Sequence, residues 1–137
     1  MRVFPVVAVA AVVAVGADIL AQAPSVRNGS YTADQARQGQ SLYAELCLAC
    51  HGELTAFVPE MAALLADHTF KTRWQDRTLG ELFTLIREEM PQDAPGTLSA
   101  EQTADLVAYL LSGNRLPAGD VALPSDVERL SQIPFEP

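Results

Sequence analysis

The sequence predicts an all-α protein with three main helices joined by long loops. Three capping boxes, in which a Ser or Thr precedes a Gln or Glu by three residues, mark helix starts. They lie at Thr32–Gln35, Thr78–Glu81 and Ser99–Gln102. Apolar residues at helical spacing follow each box, and no convincing strand pattern is present. The length of 137 residues suggests one domain.

The first predicted helix runs from Ala33 to about Leu46 or Cys50. Gly39 in its interior costs ~1 kcal/mol relative to Ala. We therefore expect another helix to cross closely at Gly39.

Two further helices are predicted later in the chain. One runs from the second capping box to about Glu89 and is stopped by Pro91. The other spans about Ala100 to Ser112, with Gly113 as its C-terminal stop.

The remaining segments complete the predicted organisation. Residues 1–23 form a signal peptide, 24–31 a mobile linker, 32–113 the domain and 114–137 an extended surface tail with one turn at 125–130. We expect a short helix at 59–66 and a loop at 67–76.

The N-terminal segment has the features of a secretory signal. Arg2 precedes an uncharged run from Val3 to Ala17, which is shorter than the ~20 residues of a transmembrane helix. Ala21-Gln22-Ala23 has the form of a cleavage site. The alternative is an uncleaved anchor, and only in that case do we expect the protein to be bound to a membrane.

The charge of the chain restricts its partners. It has 9 basic and 17 acidic residues, for a net charge of -8. This balance argues against nucleic-acid binding, because no basic stripe is available to meet phosphates. A partner would present a basic docking patch, and salt should slow the encounter.

The central motif is Cys47-Leu48-Ala49-Cys50-His51, and it contains both cysteines of the chain. C-x-x-C-H is the attachment signature of c-type haem. One helical turn places the three functional side chains on one face. The motif therefore predicts one haem, held covalently by Cys47 and Cys50, with His51 as the proximal ligand of the iron.

Two other interpretations of the motif fit the sequence less well. A redox disulfide requires a βαβ context, which the sequence lacks. A zinc site usually requires four ligands, and no second cysteine pair exists. The haem also provides an apolar centre for a domain of about 90 residues, which is too small to build a large core. Without haem we expect a largely disordered chain.

The sixth iron ligand has several candidates. Met90 lies at a helix end before a stiff Pro-rich loop, which suits a thioether ligand. Met61 is followed by small and aliphatic residues and suits core filling, and His68 suits a solvated loop. An open sixth position is the remaining alternative.

Residues around the haem are predicted next. A metal-bound histidine usually donates its other ring N–H to a carbonyl, and Pro59 is our candidate acceptor. Haem propionates need donors, and Trp74, Arg73 and Arg77 are the candidates. Surface charge for the arginines and a core position for Trp74 are the alternatives.

The sequence resembles the bacterial monohaem class I cytochromes c over about residues 31–119. The attachment motif followed by Gly52 is the first feature of this resemblance. The others are a glycine and a tyrosine on the first helix, a proline that faces the proximal histidine, the distal Met-Pro pair and two residues of the last helix. Outside the motif these are Gly39, Tyr43, Pro59, Met90, Pro91, Leu106 and Tyr109.

The resemblance implies a class I cytochrome c fold around one covalently attached haem, with axial ligands His51 and Met90. It implies an electron carrier rather than an enzyme, exported to the periplasm, where haem attachment to this motif occurs. Expected partners are redox proteins: a periplasmic dehydrogenase, as in cytochromes paired with quinoprotein alcohol dehydrogenases, and a terminal oxidase or other acceptor. Alternatives are a dehydrogenase subunit clamped by its tail, and a ligand-binding or peroxidatic cytochrome.

Overall fold

The structure is a computed structural model that describes residues 25–54 and 65–137. The regular secondary structure of these residues is helical, and among them the only β-type pairing is an isolated bridge between Thr78 and Pro134. In the described part of the chain, no helix has both the length and the apolar character needed to cross a membrane. The predicted signal peptide, Pro59 and Met61 lie outside these residues.

Residues 25–54 and 65–137 form three main helices, three shorter ones and one 3-10 turn. In chain order they are the 3-10 turn Val26–Asn28, α1 (Ala33–Leu46), α2 (Leu48–His51), α3 (Asp67–Trp74), α4 (Leu79–Glu89), α5 (Ala100–Gly113) and α6 (Val127–Leu130). The all-α prediction is confirmed.

Each main helix begins at a predicted capping box. In α1 the Thr32 hydroxyl accepts a hydrogen bond from the Gln35 N–H at 3.3 Å, and the Gln35 side chain reaches back to the Thr32 N–H. The boxes that start α4 and α5 show the same reciprocal bonds. These bonds satisfy backbone donors that the first helical turn leaves free, and so they fix where each helix starts.

Helices α1 and α5 cross at Gly39, as predicted. A Cβ atom added to Gly39 would lie 2.5 Å from the Asp105 carbonyl carbon and 2.9 Å from the Tyr109 Cβ. One turn further along α1, the rings of Tyr43 and Tyr109 lie 5.2 Å apart at 57°. The missing side chain therefore lets the backbones of the two helices touch.

The prediction of a loop at 67–76 is wrong for its first eight residues, which form α3. Its N-cap residue, Ala66, makes no side-chain capping bond, so the usual sequence signal for a helix start is absent. Packing stabilises the helix instead. Phe70 and Trp74 are buried one turn apart, with ring centroids separated by 6.2 Å.

The expectation of an extended surface tail is also wrong. Residues 114–137 bury five apolar side chains in the core, namely Leu116, Leu123, Leu130, Ile133 and Phe135. The Leu79 N–H donates to the Ile133 carbonyl at 2.9 Å, and the Phe135 N–H donates to the Arg77 carbonyl at 2.7 Å. The Phe135 ring meets Phe70 edge-on at 5.6 Å. The predicted turn at 125–130 is present as α6.

The linker 24–31 is held in place rather than being mobile over the residues described. Val26 and Tyr31 are buried, and the Tyr31 hydroxyl donates to the Leu116 carbonyl at 2.7 Å. Arg27 donates to the backbone carbonyls of Glu136 and Pro137, each at 2.8 Å. The segment before α1 thus packs on the segment after α5.

Candidate haem site

The Cys47–His51 motif forms a tight turn immediately after α1. Cys47, with φ −122° and ψ −29°, separates α1 from the single-turn helix α2. The N–H groups of Cys50 and His51 donate to the Cys47 carbonyl at 3.2 and 2.9 Å. The predicted helix end near Leu46 is confirmed, and the motif occupies a separate turn with its own hydrogen bonds.

Both thiols of the motif are free. Cys50 is exposed and Cys47 is half-buried. Burial, with a smaller contribution from Cys50, raises the pKa of the Cys47 thiol to about 11.

His51 is half-buried at the end of α2. Burial lowers its pKa from the ordinary value, because desolvation disfavours the charged imidazolium. The neutral imidazole that burial favours is the form in which histidine binds metal ions.

The turn ends at Gly52, which adopts φ 68° and ψ −176°. Its N–H donates to the Leu48 carbonyl at 2.9 Å, and its carbonyl accepts a hydrogen bond from the Tyr43 hydroxyl at 2.7 Å. Burial first, and then Cys47 and Tyr109, raise the pKa of Tyr43 above its ordinary value, so the phenol keeps its proton. Tyr43 and Gly52 are nine residues apart, and no local sequence signal predicts the hydrogen bond that joins them.

Two candidates for the sixth iron ligand, Met90 and His68, lie among the described residues, and they differ in burial. Met90 caps the C-terminus of α4, where its N–H donates to the Ile86 carbonyl at 3.1 Å and its half-buried side chain packs against the core. The Met90–Pro91 peptide bond is cis. His68 lies on the exposed face of α3, with Nδ1 3.5 Å from the Thr72 hydroxyl.

The candidate propionate donors lie at the end of α3 and just beyond it. Trp74 is 3% exposed and packs on Phe70, which agrees with the core alternative. The Arg77 guanidinium lies 4.3 Å above the Trp74 ring and 3.0 Å from the Glu81 carboxylate. Arg73 is exposed in the last turn of α3. The contacts of Trp74, Arg73 and Arg77 with haem propionates remain predictions.

Residues 34–110 match the protein family described as cytochrome c oxidase, cbb3-type, subunit III. This range covers more than half of the chain. The chain belongs to this family. It is therefore a cytochrome c domain, which binds haem c covalently and transfers electrons through its iron.

Comparisons of the whole cytochrome chain add information on its fold. The structure of the sulfane dehydrogenase SoxCD from Paracoccus pantotrophus aligns with a TM-score of 0.53 and 23% identity. The alignment covers 80% of this chain and 56% of that one, so the cytochrome spans about half the length of the matched chain. None of the curated proteins matches it. The likeness to SoxCD supports the fold.

The motif residues of the cytochrome fit haem c. Two thiols not joined by a disulfide, and a histidine whose burial favours the neutral form, lie within one turn at the end of α1. Covalent attachment needs the thiols, and axial ligation needs the imidazole. Cys47, Cys50 and His51 are therefore the residues that would hold the group.

Proposed function

We propose that this cytochrome carries one haem c, attached through Cys47 and Cys50, with His51 and Met90 as axial ligands. We further propose that it is exported to the periplasm and shuttles single electrons between redox proteins. The observation that supports the proposal most strongly is the turn that brings Cys47, Cys50 and His51 together, placed directly after α1 of a cytochrome c domain.

When bound, haem supplies a one-electron iron couple whose potential depends on the axial ligands. The chain supplies those ligands from separate elements. His51 is held in a hydrogen-bonded turn, and Met90 is fixed by the end of α4. A thioether in the sixth position raises the potential relative to a second histidine. It also leaves no open position for a substrate, which suits a carrier.

The charge of the chain supports transient docking as the mode of partner recognition. A net charge of -8 favours partners with a basic patch around their electron exit. We propose a periplasmic dehydrogenase as the donor, and a terminal oxidase or another acceptor as the recipient. The segment from Asn114 onward buries five apolar side chains in its own domain, so a clamp on a dehydrogenase would use the exposed residues of this segment.

The visible spectrum of the purified protein, in both oxidation states, tests the proposed ligation. We expect haem that remains with the polypeptide under denaturing extraction, which thioether bonds require. Met90→Ala should change the ligand-field features of the spectrum, whereas Met61→Ala and His68→Ala should leave them unchanged. An unaltered spectrum in Met90→Ala would refute the distal assignment, and colourless wild-type protein would refute the whole proposal.

Export and shuttling have their own tests. Mature protein recovered from the periplasm with a new N-terminus near residue 24 would support a cleaved signal. Reduction by a partner dehydrogenase should slow as salt is added, because screening weakens attraction between opposite charges. A rate independent of salt would contradict electrostatic docking.

A further inference from the structure

Tyr43 holds both ends of the haem-attachment turn. Its backbone carbonyl accepts a hydrogen bond from the Cys47 N–H at 2.9 Å. Its side-chain hydroxyl donates to the Gly52 carbonyl at 2.7 Å. The first and last residues of the Cys47–Gly52 segment are therefore both bonded to one residue of α1.

The conformation of Gly52 makes the second bond depend on glycine. A φ of 68° lies in the left-handed region that side chains rarely adopt. Gly52 is tied on both sides, because its N–H closes α2 on Leu48 while its carbonyl is held by Tyr43. His51 directly precedes this fixed residue, so the backbone that carries the imidazole has little freedom.

The Tyr43 ring is itself held in place. Tyr43 is 3% exposed, and its ring packs at 57° on that of Tyr109. The Tyr109 Cβ is one of the atoms nearest to Gly39 at the crossing of α1 and α5. The hydroxyl of Tyr43 thus connects the crossing of α1 and α5 to the turn that bears Cys47, Cys50 and His51.

We propose that Tyr43 is a positioning residue for the His51 imidazole, acting through its hydrogen bond to the Gly52 carbonyl. The inference rests on the proposed function, in which His51 is an axial ligand. The orientation of that ligand tunes the potential of a bound metal, as partners beyond the ligands themselves generally do. If Tyr43 were only a packing residue, its ring would suffice and its hydroxyl would be dispensable.

Tyr43→Phe separates these two roles, because it keeps the ring contact with Tyr109 and removes only the hydroxyl. Tyr109→Phe is the matched control, since it removes a hydroxyl from the neighbouring ring and leaves the Gly52 bond intact. We expect Tyr43→Phe to shift the reduction potential from that of both the wild type and Tyr109→Phe. Equal potentials in all three proteins would overturn the proposal.

Amide hydrogen exchange in the reduced holoprotein gives a second readout. Losing this part-buried hydrogen bond should speed exchange at the His51 and Gly52 amides by on the order of fivefold in Tyr43→Phe. The Met90 amide, which donates to Ile86 on α4, should be unaffected. Unchanged exchange at His51 and Gly52 would contradict the positioning role.

The wild-type protein offers a test that needs no variant. The Tyr43 hydroxyl proton should exchange slowly enough to be seen by NMR and should lie close to Gly52. A rapidly exchanging hydroxyl would overturn the proposal even if Tyr43→Phe failed to fold. If the wild type has covalent haem with His51 and Met90 as ligands, but Tyr43→Phe changes neither the potential nor the amide exchange, only this inference is refuted. If the wild-type protein lacks covalent haem, the proposed function itself is refuted.

Discussion

Gly39 on α1 faces the backbone carbonyl of Asp105 on α5 with no space for a side chain between them. The obstacle is main chain, which cannot move aside as a flexible side chain can. This contact sets the separation of the two helices that frame the haem-attachment turn.

Gly39→Ala should destabilise the protein. Alanine improves helix propensity by ~1 kcal/mol. Overpacking against rigid backbone costs about 3 kcal/mol, at the upper end of its usual range. The expected net loss is about 2 kcal/mol of unfolding free energy, measured by thermal or chemical denaturation. Gln40→Ala, at an exposed neighbouring position, is the control. Equal stability of both variants would show that the helices can separate without cost.

Phe135→Ala should be among the most destabilising single substitutions. The ring is 0% exposed and packs edge-on against Phe70. Removing a buried phenylalanine typically costs about 3–5 kcal/mol. Val121→Ala, in the same segment but 72% exposed, should change stability by less than about 0.5 kcal/mol. A small effect of Phe135→Ala on denaturation would contradict a tail that belongs to the core.

Thr78→Ala should weaken the start of α4. The Thr78 hydroxyl accepts from the Glu81 N–H at 3.3 Å, and replacing such a cap by alanine costs about 1 kcal/mol. Thr69→Ala, an exposed threonine within α3, should cost less. Chemical denaturation of the two variants side by side checks this, and the reverse order would argue against the cap.

Stability should fall in acid partly through Glu81. Its carboxylate accepts from the Thr78 N–H and from Arg77, and these bonds lower its pKa from the ordinary value. A lowered folded-state pKa means that the contribution is present above the unfolded-state pKa and is lost as pH falls through the folded-state value. Glu81→Gln should therefore flatten the acid side of the curve of Tm against pH.

The matched control for this titration is Glu88→Gln, in the last turn of the same helix. It lies at the opposite end of α4, so its substitution leaves the capping bonds at Thr78 in place. An identical loss of pH dependence in both variants would mean that general charge reduction, rather than the capping bond, is responsible.

Local signals made most of the helical architecture predictable. The Thr32, Thr78 and Ser99 capping boxes fixed the starts of the three main helices, because a cap is a bond between residues three apart. Gly39 indicated that another helix crosses α1, because glycine in a helix interior costs stability unless close packing requires it.

Tertiary contacts account for what the sequence did not reveal. Helix α3 has no side-chain cap, and Pro117, Pro124 and Pro134 interrupt any regular helix or strand among the apolar residues from Leu116 to Phe135. Their burial depends on surfaces supplied by distant segments. At the site, the motif residues are contiguous and were recognisable, whereas the bond from Tyr43 to Gly52 required the backbone conformation of Gly52.

The hydrogen bond from the Phe135 N–H to the Arg77 carbonyl has a consequence for biosynthesis. A ribosome adds residues from the N-terminus, so all the main helices are made before the segment that covers Phe70. A chain that ended before Phe135 would leave Phe70 uncovered in the folded domain, and this open hydrophobic side would be vulnerable to proteases and to aggregation. Full resistance to proteolysis should therefore require the segment through Phe135.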